Sequence, residues 1–349
     1  MRAIGYRHSR STNEAECLED LLLPDPIPEP LDLLVQVEAV SVNPVDTKVR
    51  RSQTPVDGEV KVLGWDCAGT VVGMGDAVQG FTVGDPVWYA GAVNRPGCNS
   101  ELHLVDHRLA ARRPHSLSAA EAAALPLTAI TAWELLVDRL RLTPPRSAPP
   151  STLLVVGGAG GVGSILVQLA QELTDLEVVA TTSRPETDAW LAQLGVRHTV
   201  NHLQPLAPQI EALQLPPVTA VISLTHTDEH FPQLVDLLEP QGALALIDDP
   251  PAGAINVLAM KRKSLSLHWE LMFTRSLYQT ADQALQGQCL ATVAEMVDQG
   301  RLRSTLQTLR RPIQAATLQE AHRALESGRA IGKRVLEGWP TSTGTPTLI

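Results

Sequence analysis

An apolar run that breaks into glycines and restarts with helical spacing occupies residues 153–173, LLVVGGAGGVGSILVQLAQEL, and no other stretch restricts the fold so much. Leu153 to Val156 read as a buried strand, while Ile165, Leu166, Leu169 and Ala170 recur at helical spacing. The glycines spell Gly158-x-Gly160-x-x-Gly163, the spacing of a dinucleotide-binding turn. In that reading Gly158 permits the tight turn, Gly160 lets the backbone approach a pyrophosphate, and Gly163 lets the helix pack on its strand. Ala159, Gly161 and Val162 complete the cradle, and phosphates rest on free N–H groups where the helix dipole favours negative charge. Glycine-rich turns also arise as plain connections, so context decides. Here Glu177-Val-Val-Ala-Thr-Thr182 follows after one helix length and completes a strand–helix–strand unit.

An NAD site carries an acid about 20 residues beyond the glycines, where it accepts from the ribose hydroxyls. This chain has Thr182-Ser183-Arg184 there. A carboxylate repels the extra phosphate of NADP, whereas hydroxyls and a guanidinium bind it through charge-assisted hydrogen bonds. The expected cofactor is therefore NADPH. The competing reading makes Arg184 a solvated residue before Pro185.

At 349 residues the chain exceeds the usual single domain, so two are expected. Aromatic residues make up 3% against 44% hydrophobic, which calls for aliphatic cores. The formal charge of −10 and the lack of a long basic run argue against nucleic acid as a partner. No stretch approaches eighteen consecutive apolar residues and the first residues lack an apolar signal core, so a cytoplasmic protein with no membrane partner is expected. Cys17, Cys67, Cys98 and Cys289 are too scattered for a disulfide framework or a Cys-x-x-Cys cluster.

From residue 32 the first third alternates β-type runs with turns, at Leu33–Val42, Lys61–Val72, Val83–Tyr89 and Glu101–Val105, the pattern of a compact barrel-like domain. Ser118-Ala-Ala-Glu121 forms a capping box before an alanine-rich helix, and Pro126 interrupts that helix at a crossing between domains. A proline-rich connection, Thr143 to Pro150, leads to the glycine unit. Beyond it, strand-like runs at 153–156, 177–182, 197–200, 218–224, 242–247 and 264–269 alternate with helical segments at 161–173, 185–194 and 229–238. That alternation predicts a doubly wound parallel sheet. Helices at 282–299 and Ala315–Ser327, a strand at Lys333–Leu336 and a fraying tail from Pro340 close the chain.

Ser41-Val-Asn-Pro-Val-Asp46, Gly64-Trp-Asp66, Gly84-Asp85, Ala-Ala-Leu-Pro-Leu-Thr128, the glycine turn and the closing Ala321-to-Lys333 segment stand in the order seen in a known superfamily. Over residues 1 to 338 the chain resembles the medium-chain dehydrogenase/reductases, above all the quinone oxidoreductase branch with its zinc-type alcohol dehydrogenase-like proteins. The resemblance implies an α/β Rossmann domain plus a mainly-β GroES-like catalytic domain. The implied division is 1–126 catalytic, 127–274 Rossmann, 275–338 returning to the catalytic domain and 339–349 tail, with the active site in the cleft and a homodimer joined through the Rossmann domains. It also implies hydride transfer from a nicotinamide.

Zinc-containing relatives place ligands at positions matching Asn43, Trp65 and the Leu125-to-Thr131 stretch, and none of these residues supplies one. Cys67 is the one thiol near them and reads as a small buried hydrophobe. Without a Lewis acid, a conjugated acceptor is favoured over a plain ketone, so the expected reaction is NADPH-dependent reduction of a quinone or enone without catalytic zinc. A zinc-type alcohol dehydrogenase and a non-catalytic NADPH-binding redox sensor are the competing readings.

The resemblance puts Asn43 beside the nicotinamide, with an amide able to donate and accept. Asp46 orients that loop or a water, or else caps the helix that follows. Tyr89 and Tyr6 are the nearby phenols able to give a proton to an oxyanion, and Trp65 and Trp88 wall an aromatic pocket or pack in a core. Thr128 matches a family threonine near the cofactor. Thr225, with Ile247 and Asp248, stands at the carboxyl ends of strands, where open α/β sheets bind ligands. Lys333 matches a basic position near the cofactor. His226 and His230 read as cap and surface groups rather than metal ligands.

Overall fold

The structure, a computed structural model, describes residues 1–143 and 149–340; residues 144–148 of the proline-rich connection and 341–349 of the tail lie outside the described residues. The chain divides into two compact units, Met1–Leu127 with the chain from Phe273 onward, and Thr128–Met272.

The first unit begins with strands β1 (Arg2–Tyr6), β2 (Glu19–Leu22) and β3 (Asp32–Ser41), helix α1 (Pro44–Ser52), and strands β4 (Lys61–Val62), β5 (Cys67–Met74), β6 (Pro86–Tyr89), β7 (Leu102–Asp106) and β8 (Ala110–Arg112). Helix α2 (Ala119–Ala123) follows, and helix α3 (Pro126–Trp133) starts at the end of this stretch, its residues from Thr128 onward counting to the second unit. A small sheet has the order β2-β1-β4, and a larger one runs β15-β16-β3-β5-β6-β8 with β7 also paired to β3. Strands β15 (Leu306–Arg310) and β16 (Lys333–Glu337) come from the end of the chain, and β16 pairs antiparallel with β3, Val335 opposite Ser41. This pairing carries Lys333 to the end of β3.

The sequence suggested one β-run from Lys61 to Val72. It is broken at Leu63–Asp66, where Gly64 takes a φ of +112°, a conformation that suits glycine. A Cβ there would lie 2.6 Å from the Asn99 side chain, so the backbone passes too close for any other residue. Trp65 and Asp66 thereby sit in a loop before β5 rather than on a strand.

The second unit is a six-stranded parallel sheet of order β11-β10-β9-β12-β13-β14. Its strands are β9 (Thr152–Val156), β10 (Glu177–Thr182), β11 (His198–Asn201), β12 (Val218–Ser223), β13 (Ala243–Leu246) and β14 (Ser266–Trp269), with helices α4 (Gly161–Leu173), α5 (Pro185–Gln193), α6 (Leu206–Ala212) and α7 (Thr227–Leu237) between them. β9 is buried along its whole length, as a strand covered on both faces must be. The order reverses at β9, whose neighbours are β10 and β12, and ligands of open α/β sheets bind at such a switch point. Leu154, Val156, Val179, Val221, Leu234 and Leu244 form an aliphatic core with Phe231 as its aromatic member. Among the described residues no helix is long and apolar enough to cross a membrane.

Candidate functional site

Two constellations of the expected residues stand out, one in each unit. In the second unit the glycine turn leaves β9 at the switch point. The left-handed residue that makes the turn is Gly157, at φ +82°, and not Gly158 as the motif suggests. A Cβ on Gly157 would stand 2.9 Å from Thr225 Cγ2, so Thr225 packs directly on the turn. Gly158 is glycine because Ala180 on β10 lies 2.7 Å from where its Cβ would be. Gly163 is glycine because α4 rides on the turn itself, with the carbonyls of Gly157 and Gly158 at 2.5 Å. Gly160 differs: its Cβ would meet only Gly157 O at 3.6 Å, and the space beyond is open.

Gly160 caps α4, and the first-turn N–H groups of a helix have no intrahelical acceptor. Backbone donors beside an open glycine fit a dinucleotide phosphate. At the end of β10, Thr182 Oγ1 donates to Asp188 at 2.6 Å, and Arg184, three-quarters buried, pairs with Glu186 at 3.2 Å. Ser183 is half-buried beside them. Ile247 follows β13, and Asp248 caps α7 by accepting from Thr227 N at 2.9 Å and Thr227 Oγ1 at 2.6 Å. Thr128 is buried on α3.

In the first unit, four polar side chains meet in the interior: Asn43, Asp46, Asp66 and Lys333, each at most 3% exposed. Lys333 Nζ donates to Val42 O at 3.0 Å, Asn43 Oδ1 at 2.5 Å and Asp66 Oδ2 at 2.8 Å. Asn43 Nδ2 donates to the same Asp66 Oδ2 at 2.8 Å, and Leu127 N donates to Asp66 Oδ1 at 2.8 Å. Burial raises the Asp66 carboxyl above the ordinary range, opposed by the Lys333 ammonium and the N–H donors around it. Asp46 Oδ2 accepts from Asn43 N at 2.7 Å, and burial lifts its carboxyl to about 7 against that bond and the pull of Lys333. Asp46 thus takes the capping role, at the third position of α1.

Several of the expected site residues are engaged inside the first unit. Lys333, expected near the cofactor, directs the three hydrogens of its ammonium to acceptors within the first unit. The Asn43 amide turns inward to Asp66 and Lys333, so it positions this cluster rather than presenting itself to an acceptor. Tyr89 is fully buried with its hydroxyl 2.9 Å from His103 Nδ1. His103 Nε2 lies 3.0 Å from Pro96 O, which can only accept, so Nδ1 is the bare nitrogen and Tyr89 donates to it. Tyr6 likewise donates to Gln53 O at 2.8 Å. Trp65, edge-on to Phe273 at 6.1 Å, and Trp88 are buried at 1% and 0% exposure, as the core-packing alternative expects. All four cysteines are free and buried.

Comparison with known proteins places this geometry. A family model described as alcohol dehydrogenase GroES-like domain matches residues 29–112, and one described as zinc-binding dehydrogenase matches residues 194–336. A zinc-type alcohol dehydrogenase-like protein of Staphylococcus epidermidis is 36% identical over 338 residues, 96% of this chain and 99% of that protein. The chain belongs to the medium-chain dehydrogenase/reductase superfamily, among its zinc-type alcohol dehydrogenase-like proteins. It is an oxidoreductase of that superfamily, whose members typically use a nicotinamide cofactor.

Among solved structures, a Rhizobium etli protein provisionally assigned as a zinc-dependent alcohol dehydrogenase is 50% identical, with a TM-score of 0.94 over 98% of this chain and 99% of that one. The quinone oxidoreductase of Coxiella burnetii is 25% identical, with a TM-score of 0.77 over 97% and 99%. The superfamily's two-part architecture, a GroES-like domain and a Rossmann-like parallel sheet, is what the two units show. Among the described residues no group of three or more His, Cys, Asp or Glu side chains is placed to hold a metal ion. Sequence reading passed over Asp66 as the centre of the buried cluster, although Gly64-Trp65-Asp66 carried the signal.

Proposed function

We propose that the protein is an NADPH-dependent reductase that passes hydride to a quinone or an α,β-unsaturated carbonyl and does so without zinc. The observation that carries this reading is the Lys333–Asp66–Asn43 cluster, a lysine ammonium bonded to Asp66 at 2.8 Å. Asn43 and Trp65 stand where zinc-containing relatives place ligands; an amide is a poor zinc ligand, and the Trp65 indole N–H donates to Ala92 O at 3.2 Å. Asp66, the remaining acid, is held by an ammonium, so the residues do not fit a zinc ion.

Without that Lewis acid, ketone reduction lacks several kcal/mol of transition-state stabilisation. Addition to a quinone or enone spreads the developing charge over a conjugated system, which hydrogen-bond donors can stabilise. The nicotinamide supplies the hydride, and the chain's part is to bind, orient and exclude water. Ser183 and Arg184 support NADPH over NADH, since neither repels a ribose phosphate. Thr128, Thr225 and Ile247 complete the proposed cofactor set. A homodimer through edge strand β14 is part of the same proposal, supported by Trp269 and Leu271 at 52% and 54% exposure.

The test follows NADPH oxidation with a panel of quinones and enones before and after chelation. Acceptor-dependent oxidation that survives chelation is expected. Tight binding with no acceptor-dependent oxidation would mark a sensor instead, and activity lost on chelation and restored by zinc would mark a zinc alcohol dehydrogenase.

A further inference from the structure

Three histidines gather at the carboxyl ends of the strands in the second unit, and the glycine turn accounts for none of them. His202 follows β11, and its backbone N–H donates to Thr182 O at 3.0 Å, which sets it beside the Thr182-Ser183-Arg184 stretch. Its Nδ1 lies 3.2 Å from Thr181 Oγ1, and that oxygen accepts from Gly157 N at 3.1 Å. One hydroxyl therefore ties the imidazole to the glycine turn. His230, buried on α7, brings its ring centroid to 5.9 Å from that of His202. His226, exposed ahead of α7, holds Thr225 Oγ1 at 2.7 Å, and Thr225 itself packs on Gly157.

The charged groups that act on His202 are Arg184 from the end of β10 and His226, Glu229 and His230 from the start of α7. Those that act on His230 are Asp228, Glu229 and His226. Resting on the NADPH reading, we infer that His202 and His230 join Arg184 in a proton-coupled pocket for the ribose phosphate of NADPH and take up a proton from solvent when that phosphate binds.

Burial, and then the neighbouring histidines, hold the His202 imidazole below its ordinary range, with Arg184 adding to the effect. Burial does the same for His230, where Glu229 opposes it. Without the phosphate both are mainly neutral at neutral pH. A dianion placed beside them reverses the local field and favours the charged imidazole. Binding is then linked to protonation, so NADPH affinity falls as pH rises, while NADH, lacking the phosphate, is indifferent. The phosphate takes its own proton near pH ~6, which sets the lower end of the useful range.

Calorimetric titration of the full chain with NADP⁺ and NAD⁺ between about pH 6.5 and 8.5, in buffers of different ionisation enthalpy, reads affinity and proton uptake together. The NADP⁺ dissociation constant should rise about three- to tenfold across that range with net proton uptake, and the NAD⁺ constant should stay flat. His202→Asn keeps a polar group toward Thr181 but cannot titrate, and should reduce the NADP⁺ slope. Arg184→Ala should weaken NADP⁺ at every pH and keep the slope. NMR titration of the His202 ring in the unaltered protein should show its pKa rising on addition of NADP⁺, which requires no variant to fold. A flat profile with NADP⁺ still preferred and still dependent on Arg184 would overturn this inference alone. Equal binding of NADP⁺ and NAD⁺ at every pH would overturn it together with the NADPH reading.

Discussion

The glycine turn and the Lys333 cluster solve opposite problems. The turn is built on backbone: its residues lie within seven positions, and side chains are absent where β10, Thr225 or the turn's own carbonyls come close. The cluster works with side chains: Lys333 bonds Asp66 across 267 positions of sequence and Asn43 across 290. One is local geometry that tolerates no addition. The other is a long-range charge network that tolerates no subtraction, because burying a carboxylate without its cation is costly.

That contrast is broken most directly at Lys333. Removing one partner of a buried ion pair costs about 3–5 kcal/mol, since the other charge stays buried and uncompensated. Lys333→Met should therefore lower the stability of the first unit by that amount in chemical denaturation, and adding Asp66→Asn should recover much of it. A single variant within about 1 kcal/mol of the unaltered protein would show that the cluster does not hold the fold.

The same network should show in pH. Asp46 rises from an ordinary 3.8 to about 7, so between those values the folded state keeps a proton that the unfolded chain has lost. Its contribution to stability is full below the lower value, falls as pH rises through the interval at up to ~1.4 kcal/mol per unit, and is flat above the upper one. Buried His103 and His322, lowered to about 4 and about 3 by burial, run the other way because each must charge on unfolding in acid. The clean measure is the stability difference between the unaltered protein and Asp46→Asn, which should shrink from pH 4 to pH 7. A constant difference would place the Asp46 carboxyl in its ordinary range.

How much of each site could be read from sequence follows from the same contrast. The turn is contiguous, and each of its glycines reports a steric demand, so β9, α4 and β10 were legible to within a residue or so. Even there the motif misplaced the tight turn by one position, because Gly157, outside the spacing rule, is the residue with positive φ. The cluster was legible only through resemblance, which assigned Lys333 to a cofactor. Nothing in the local sequence reveals that β16 lies against β3, and that pairing brings the ammonium to Asn43 and Asp66. Helix α6 and strands β1 and β2 went unread for a related reason: their segments are brief, and their partners fix them more than their periodicity does.

Within the turn, two glycines separate packing from recognition. Gly163→Ala places a methyl 2.5 Å from two backbone oxygens that cannot rotate away, so α4 must shift, at about 1–3 kcal/mol. Gly160→Ala meets nothing closer than 3.6 Å and has a φ of −71° that any residue adopts, so the fold should lose less than about 0.5 kcal/mol. Its methyl would stand in the space proposed for the pyrophosphate, and dinucleotide affinity should fall about tenfold, or ~1.4 kcal/mol. Thermal melts and cofactor titrations of the pair distinguish the two roles; equal effects on both readouts would erase the distinction.

The smallest effect expected in this series is at Tyr89. Its hydroxyl donates to the bare nitrogen of His103, whose other nitrogen is fixed by Pro96 O, so the phenol is one link in a buried chain of hydrogen bonds. Burial raises its pKa well above the usual phenol value, which keeps it protonated and poorly suited to cycling a proton at neutral pH. Tyr89→Phe keeps the ring and its stacking at 5.5 Å on His103 and removes only the hydrogen bond. Stability should fall by about 1 kcal/mol, the usual net worth of one such bond, and turnover should change by less than about twofold. A loss of turnover beyond tenfold in a variant of unaltered stability would return Tyr89 to the reaction as its proton donor, and would show that the first unit uses its buried polar groups for chemistry as well as for structure.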